Sequence, residues 1–185
     1  MDRTPLFAAS LAACLFVGAA VAAPPVLIEP VMAQVDKNWL YEIRDSRAKA
    51  GAPREGDARA MADDMARNFQ ATLDKTLREH GIEVVTSPSA GALRLAARLD
   101  DVYVSAPENM AAGVTGFARY AARATLRVQA RDPSGAVIMQ SEQRSEAGDM
   151  GRLQRATDVS NRFWLEALFR DWSVEIAKEL KKKVR

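Results

Sequence analysis

Alternating apolar and polar positions across residues 117–146 form the clearest pattern in the chain. Within this stretch, small or apolar side chains share one parity of residues 118–130, and arginines and other polar side chains share the other parity of 119–131. A period of two is typical of a β-strand with one buried face. The turn sequence Asp-Pro-Ser-Gly at 132–135 leads into a second alternating run at 136–146. The pattern predicts an antiparallel hairpin whose apolar face the rest of the chain must cover.

Two other segments have the spacing of amphipathic helices. Between Asp57 and His80, large apolar residues recur every four positions, and Gly81 follows as a natural helix terminator. These residues are Met61, Met65, Phe69, Leu73 and Leu77. A similar line runs through the C-terminal segment, which ends in three lysines. It consists of Trp164, Leu168, Trp172, Ile176 and Leu180. The spacing predicts two helices that each bury one apolar stripe. It places Trp164 and Trp172 of the C-terminal helix in the core.

The remaining strands are predicted from shorter patterns. Residues 82–85 indicate a short buried strand, and residues 92–104 indicate a long one. The apolar parity of the long strand changes at Asp100-Asp101, which predicts a β-bulge. Near the N-terminus, the aromatic alternation of 38–44 favours a strand, whereas the proline-spaced segment 26–35 is either an extended arm or an edge strand.

Together these elements predict the fold class and the division of the chain. We expect an α+β fold, a two-layer sandwich with a mainly antiparallel sheet of about four or five strands and two amphipathic helices on one face. Residues 23–56 are the N-terminal arm, strand and loop, and residues 57–185 are the remainder of this single α+β domain.

Residues 1–22 have the features of a secretory signal peptide. An uncharged, alanine-rich run ends in Ala20-Val21-Ala22, which offers small residues where signal peptidase cleaves. The expected location is therefore periplasmic. Two alternatives stay open, since the run is near membrane-spanning length and Cys14 lies in a lipobox-like sequence, Leu-Ala-Ala-Cys at 11–14.

The composition argues against several function classes. The 26 basic and 24 acidic residues give a net charge of +2, which does not favour a nucleic-acid partner. His80 is the single histidine and Cys14 the single cysteine, so no metal-ligand spacing is present. No glycine pattern frames Ser87 as a nucleophile beside His80 and Asp101, and no phosphate-binding loop is present. We expect no catalytic residue, no metal, no cofactor and no enzymatic activity.

The polar parity of the two long strands supplies the main candidate site. If these strands pair, six arginines share one sheet face, namely Arg94, Arg98, Arg119, Arg123, Arg127 and Arg131. One reading is a surface for an anionic partner, and the other is a solvent-exposed face balanced by Glu142 and Glu146. The long connection at 105–116 adds the apolar residues Met110 and Val114 as candidate partner contacts.

The chain resembles small bacterial periplasmic and outer-membrane lipoproteins with a strand-helix-strands-helix domain, including auxiliary lipoproteins of envelope transport systems. The signal and four further segments carry the resemblance: Leu-Arg-Glu-His-Gly at 77–81, Leu-Arg-Leu at 93–95 leading to Leu-Asp-Asp-Val at 99–102, the Pro-Ser-Gly turn, and the late helix with Trp172. Those families mostly begin at a lipid-bearing cysteine followed by a polar linker, whereas Leu-Phe-Val follows Cys14. The resemblance implies no catalytic residues.

The expected function is that of a non-enzymatic accessory protein of the cell envelope. Its partner would be an envelope protein or an anionic lipid or glycan, and the sequence leaves the oligomeric state open. The alternative is a periplasmic carrier of a small ligand or lipid, with a pocket between sheet and helices. A hydrolase is the least favoured reading, because His80 is the only obvious base.

Overall fold

The computed structural model describes residues 23–39, 41, 55–104, 116–118, 122–147, 154–156 and 158–183. Within them the fold is α+β, as predicted, with a mixed sheet and two long helices. The elements in chain order are β1 (Val26–Ile28), β2 (Met32–Val35), α1 (Glu55–Glu79), β3 (Val84–Val85), β4 (Leu93–Val104), β5 (Gly116–Ala118), β6 (Ala122–Arg131), β7 (Val137–Ala147), β8 (Gln154–Ala156) and α2 (Asp158–Lys183).

The predicted pairing of the long strands is confirmed. β4 pairs antiparallel with β6, and β6 pairs antiparallel with β7 through the turn at 132–135. In that turn Asp132 Oδ1 accepts hydrogen bonds from the backbone amides of Ser134 (2.8 Å) and Ala136 (3.0 Å). These local bonds hold the turn, and the turn sets the β6–β7 register.

The sheet is mostly antiparallel, as expected, but it is mixed and has six strands where the sequence predicted four or five. Its order is β3-β1-β4-β6-β7, and β2 also pairs with β4. β1 and β2 lie one after the other along β4, both parallel to it, and β3 is parallel to β1. β5 and β8 form a separate two-stranded antiparallel ladder. Parallel pairing between segments so distant in sequence leaves no local signal of the kind a hairpin turn gives.

The prediction of a strand at 38–44 is wrong where the structure describes it, because Trp39 and Tyr41 are helical. The Asp36 side chain accepts a hydrogen bond from the Asn38 amide at 2.8 Å, and the Asp36 carbonyl accepts one from the Trp39 amide at 3.0 Å. Such aspartate-centred bonding starts a helical turn and competes with a strand. The strand-forming residues are instead those of the proline-spaced segment, in β1 and β2.

The bulge in β4 is confirmed. The β4–β6 register shifts between Asp100 and Tyr103, and Asp101 takes a left-handed backbone conformation with φ of 53°. The extra residue returns the apolar side chains to the same face, so Leu99 and Val102 are both buried.

Both helices bury the faces that complete the core. The predicted stripe of α1 is buried along its full length, and the helix ends where expected. In α2 the large buried side chains are those of Leu165, Phe169, Trp172, Ile176 and Leu180, and the small residues Ser173 and Ala177 are buried beside them. Trp164 and Leu168 are only partly buried, so the core prediction is confirmed for Trp172 and not for Trp164.

The helices contact each other through aromatic rings, and both belong to one core cluster with the sheet. Phe69 of α1 lies 5.2 Å from Phe169 and 6.1 Å from Trp172, measured between ring centroids. The apolar parity of β4, β6 and β7 joins them, with small alanines at 97, 122, 124 and 130. Trp172 donates its indole N–H to Ser145 Oγ of β7 at 3.2 Å. The small side chains leave room for the large rings to approach the sheet.

Candidate binding face of the sheet

The strand register places five of the six predicted arginines on one face of the sheet, which we call the arginine face. Arg94 lies opposite Arg131, Arg98 lies opposite Arg127, and Arg123 lies opposite Tyr103. These side chains have the parity opposite to the buried one, so they point away from the core. Arg119, Met110 and Val114 lie outside the described residues, as does the signal segment with Cys14.

Asp100 is the central acid of the arginine face. Its side chain is only 9% exposed, and its Oδ1 accepts a hydrogen bond from Arg98 Nε at 2.5 Å. Arg127 Nη1 lies 3.0 Å from Asp100 Oδ2 without hydrogen-bond geometry, so this second contact is an ion pair. A carboxylate shielded to this degree needs such compensation. Asp100 therefore holds Arg98 and Arg127 in place.

Arg127 has a second acidic partner on β7. Its Nε donates to Glu142 Oε2 at 3.1 Å, across the register pair that joins the two residues. This hydrogen bond raises the pKa of Arg127 above its ordinary value, and the nearby Glu142 and Asp100 charges add to the effect. Glu142 is thus one balancing acid that the sequence indicated, and Glu146 lies opposite Arg123 in the same register.

Arg123 links the arginine face to the N-terminal segment. Its Nη2 donates to Asp36 Oδ2 at 3.2 Å, just beyond the end of β2. The guanidinium lies over the Tyr103 ring, 4.5 Å from the centroid, in a cation–π contact. These two contacts tie Arg123 to the fold, and only 22% of its side chain is exposed.

Arg94 and Arg131 have a different environment. They lie directly opposite each other at the end of the β4–β6 ladder next to the hairpin turn, and both are exposed. Arg131 donates from Nε and Nη2 to the amide oxygen of Gln129, at 3.0 and 2.8 Å. Across the residues that the structure describes, Arg94 has no hydrogen-bond or ion-pair partner, and neither arginine meets a carboxylate. Like charges in directly opposed positions destabilise a ladder unless an anion lies between them.

Sequence reasoning missed the two acids that neutralise this face. The sequence pattern indicated Asp100 only as part of the parity break at Asp100-Asp101, and it did not indicate Asp36. The alternation of β4 was itself the available signal, because Arg98 and Asp100 are two residues apart and both precede the register shift, so they lie on the same face. Asp36 left no signal, since its contact with Arg123 joins residues 87 positions apart.

A groove lies on the other side of the sheet, between α2 and β7. It has a volume of about 390 Å³. Its apolar wall includes Ile138, Met139, Trp172 and Ile176, and Gln143, Glu175, Glu179 and Lys183 line its polar margin. Its size falls within the range of small-molecule sites.

The described residues show no arrangement typical of catalytic or metal chemistry. They contain no group of three or more histidine, cysteine or acidic side chains arranged to hold a metal ion. Among them, no hydrogen bond joins His80 to Ser87 or to Asp101, and the backbone amide of His80 donates to the Thr76 carbonyl. Neither described helix combines the length and apolar character that crossing a membrane requires.

Solved structures similar to this chain include two that are named as lipoproteins. A minor lipoprotein from Acinetobacter baumannii shares 14% identity at a TM-score of 0.39, covering 62% of this chain and 83% of its own. A DUF330 protein from Xanthomonas campestris shares 11% identity at 0.46, covering 86% of each chain. Rare lipoprotein B from Shewanella oneidensis shares 11% identity at 0.31, covering 82% and 90%. No protein-family model and no curated protein matches the chain.

Two of these three structures are named as lipoproteins, the class of protein that the sequence resembles. All three TM-scores lie below 0.5 and all identities lie at or below 14%, so the likeness is distant.

Proposed function

We propose that the protein is a non-enzymatic accessory protein of the bacterial cell envelope, exported to the periplasm, that binds an anionic partner through the arginine face. In this proposal residues 1–22 are removed as a signal, and residues 23–185 form one domain. Both helices cover the apolar side of the sheet in a two-layer arrangement. The opposite side then remains open to a partner.

The opposed pair Arg94 and Arg131 is the observation that carries this proposal. Ion pairs already neutralise the other three arginines: Arg98 pairs with Asp100, Arg123 with Asp36 and Arg127 with Glu142. The opposed pair meets no carboxylate among the described residues, so its charge is available to an incoming phosphate or carboxylate. Guanidinium groups bind both of these groups through paired N–H donors.

The proposal is tested by reversing this pair of charges. In the double variant Arg94→Glu, Arg131→Glu, binding to vesicles containing phosphatidylglycerol, or recovery of an envelope protein by the immobilised chain, should fall at least tenfold. The matched control is Arg170→Glu, Lys178→Glu, which makes the same charge change at exposed positions of α2. Loss with vesicles identifies a lipid head group, and loss with extract alone identifies an acidic protein. Equal binding by both double variants would overturn the proposal.

Arg123 and Arg127 are poor positions for this test. Reversing either one would remove the fixed counter-charge of Asp36 or Asp100, and the fold would suffer together with binding. The opposed pair avoids this confusion, because replacing it with glutamates breaks no described ion pair.

A second candidate function is favoured by the groove between α2 and β7. A carrier of a small ligand or lipid would place the apolar part of its cargo against Trp172 and Ile176. Native mass spectrometry of protein purified from its own host tests this reading. A co-purifying small molecule, lost in Ile176→Glu but retained in the exposed-site variant Lys178→Glu, supports the carrier. Protein of its sequence mass alone would contradict it.

A further inference from the structure

β7 forms one edge of the described sheet. It is an eleven-residue strand that pairs only with β6, so alternate backbone N–H and C=O groups along it point outward. Proteins usually protect such an edge with proline, glycine bulges, short length or a charge on the buried side. β7 contains neither proline nor glycine, and Met139, Ser141, Gln143 and Ser145 on its core-side parity are uncharged. Across the residues that the structure describes, no strand pairs with this outer edge, so it can accept another strand.

The arginine-face parity of β7 carries an ordered charge pattern. Gln140, Glu142, Arg144 and Glu146 follow one another on this side. Glu142 holds Arg127 of its own sheet. Arg144 is exposed and lies opposite Thr125, and it has no hydrogen-bond or ion-pair partner among the described residues.

A second copy of the chain fits this pattern. If two β7 strands pair antiparallel about a twofold axis at Gln143, Glu142 of each copy faces Arg144 of the other. In the same register Ser141 faces Ser145, and Gln140 faces Glu146. Moving the axis one residue to Glu142 or Arg144 places like charges directly opposite each other, which disfavours those registers. The charge pattern thus selects one self-complementary register.

We propose that β7 is a self-association edge, at which a second copy of this chain adds antiparallel about Gln143 and joins two sheets into one. This inference goes beyond the proposed function and does not depend on it. The two arginine faces would then continue across the junction on the same side, because residues of equal parity pair with each other.

Sedimentation equilibrium of the purified protein over a range of concentrations tests the proposal. The protein should form a dimer, and Arg144→Glu should raise the dimer dissociation constant at least tenfold by placing glutamates opposite each other at two sites. Arg170→Glu, the same charge change at an exposed position of α2, should leave the dimer unchanged. A protein that stays monomeric, or a dimer that Arg144→Glu does not weaken, would overturn the proposal.

A mixing experiment tests the register itself. Chains carrying Arg144→Glu have two glutamates at 142 and 144, and chains carrying Glu142→Arg have two arginines there. Each variant should be monomeric alone, and an equimolar mixture should form a heterodimer, because both cross-strand pairs then have opposite charges. Circular dichroism of each variant verifies that it folds. Folded variants that do not combine would overturn the Gln143-centred register.

Discussion

Among single residues, Asp100 decides how the arginine face is organised. Its carboxylate lies on the polar side of β4, just before the bulge, where Arg98 and Arg127 shield it from water. These two arginines are therefore parts of the fold as much as parts of a surface. Arg94 and Arg131 differ from them, because no described carboxylate forms an ion pair with either one.

Replacing Asp100 by asparagine should destabilise the fold. The variant removes the charge that Arg98 and Arg127 share, and we expect a loss of about 1–3 kcal/mol in the free energy of unfolding. Urea titration followed by circular dichroism measures it. Asp101→Asn is the matched control, since Asp101 is exposed and asparagine tolerates its left-handed backbone. Equal stability of the two variants would contradict the assigned role of Asp100.

Among the elements, α1 has the best-defined end. The Ile82 amide donates to the Leu77 carbonyl at 2.9 Å, and the Gly81 amide donates to the Arg78 carbonyl at 2.8 Å. These two bonds form a Schellman cap with Gly81 in the left-handed region at φ of 71°. The cap directs the chain from the helix into β3.

Gly81→Ala should cost about 1–2 kcal/mol, because a Cβ strains the left-handed backbone even though open space surrounds it. Gly56→Ala is the control, at a helical position with no positive φ and no atom within 4 Å of the added Cβ. That variant should be neutral or slightly stabilising. The unfolding midpoint in urea checks both, and a destabilised Gly56→Ala with a neutral Gly81→Ala would contradict the capping account.

The hairpin turn should depend on pH through Asp132. Its hydrogen bond with the Ser134 side chain, and those with the Ala136 and Ser134 amides, lower the pKa of Asp132 below its ordinary value. A pKa that is lower in the folded state contributes stability at pH values above the unfolded-state pKa of about 4. This stability is lost as the pH falls through the folded-state pKa.

The excess stability of the wild type over Asp132→Asn should therefore hold above about pH 4 and shrink as the pH falls further. Urea midpoints measured across this range check it. Ser134→Ala, which removes the hydroxyl donor, should reduce the same dependence. A wild-type excess that stays constant down to pH 2 would count against the role of Asp132.

At the scale of the whole molecule, the N-terminal segment packs into the core of the domain. Trp39 is fully buried and donates its indole N–H to the Val104 carbonyl at 3.0 Å, across 65 residues. Trp39→Phe should lower the free energy of unfolding by about 1–3 kcal/mol, because it leaves a buried carbonyl unpaired. Tyr41→Phe, at a side chain that is 73% exposed, should change nothing measurable. Chemical denaturation compares them, and equal effects would argue against the anchoring role of Trp39.

The sequence predicted what local periodicity encodes. Alternation gave β4, β6 and β7 and the five described arginines on one face, and the parity break gave the bulge at Asp100. The parallel addition of β1 and β2, the burial of Trp39 and the Asp36–Arg123 ion pair join segments far apart in the chain. Such contacts are set by tertiary packing, so local patterns do not contain them.

Binding of a partner at the arginine face is the central claim, and photo-crosslinking in living cells tests it most directly. A photoreactive residue at Ala96 lies on this face, opposite Gln129 and between Arg94 and Arg98. We predict a defined adduct from position 96 that disappears when Arg94 and Arg131 are changed to glutamate, and no such adduct from the exposed position 170 of α2. An adduct that survives the two charge reversals, or none from position 96, would contradict the account.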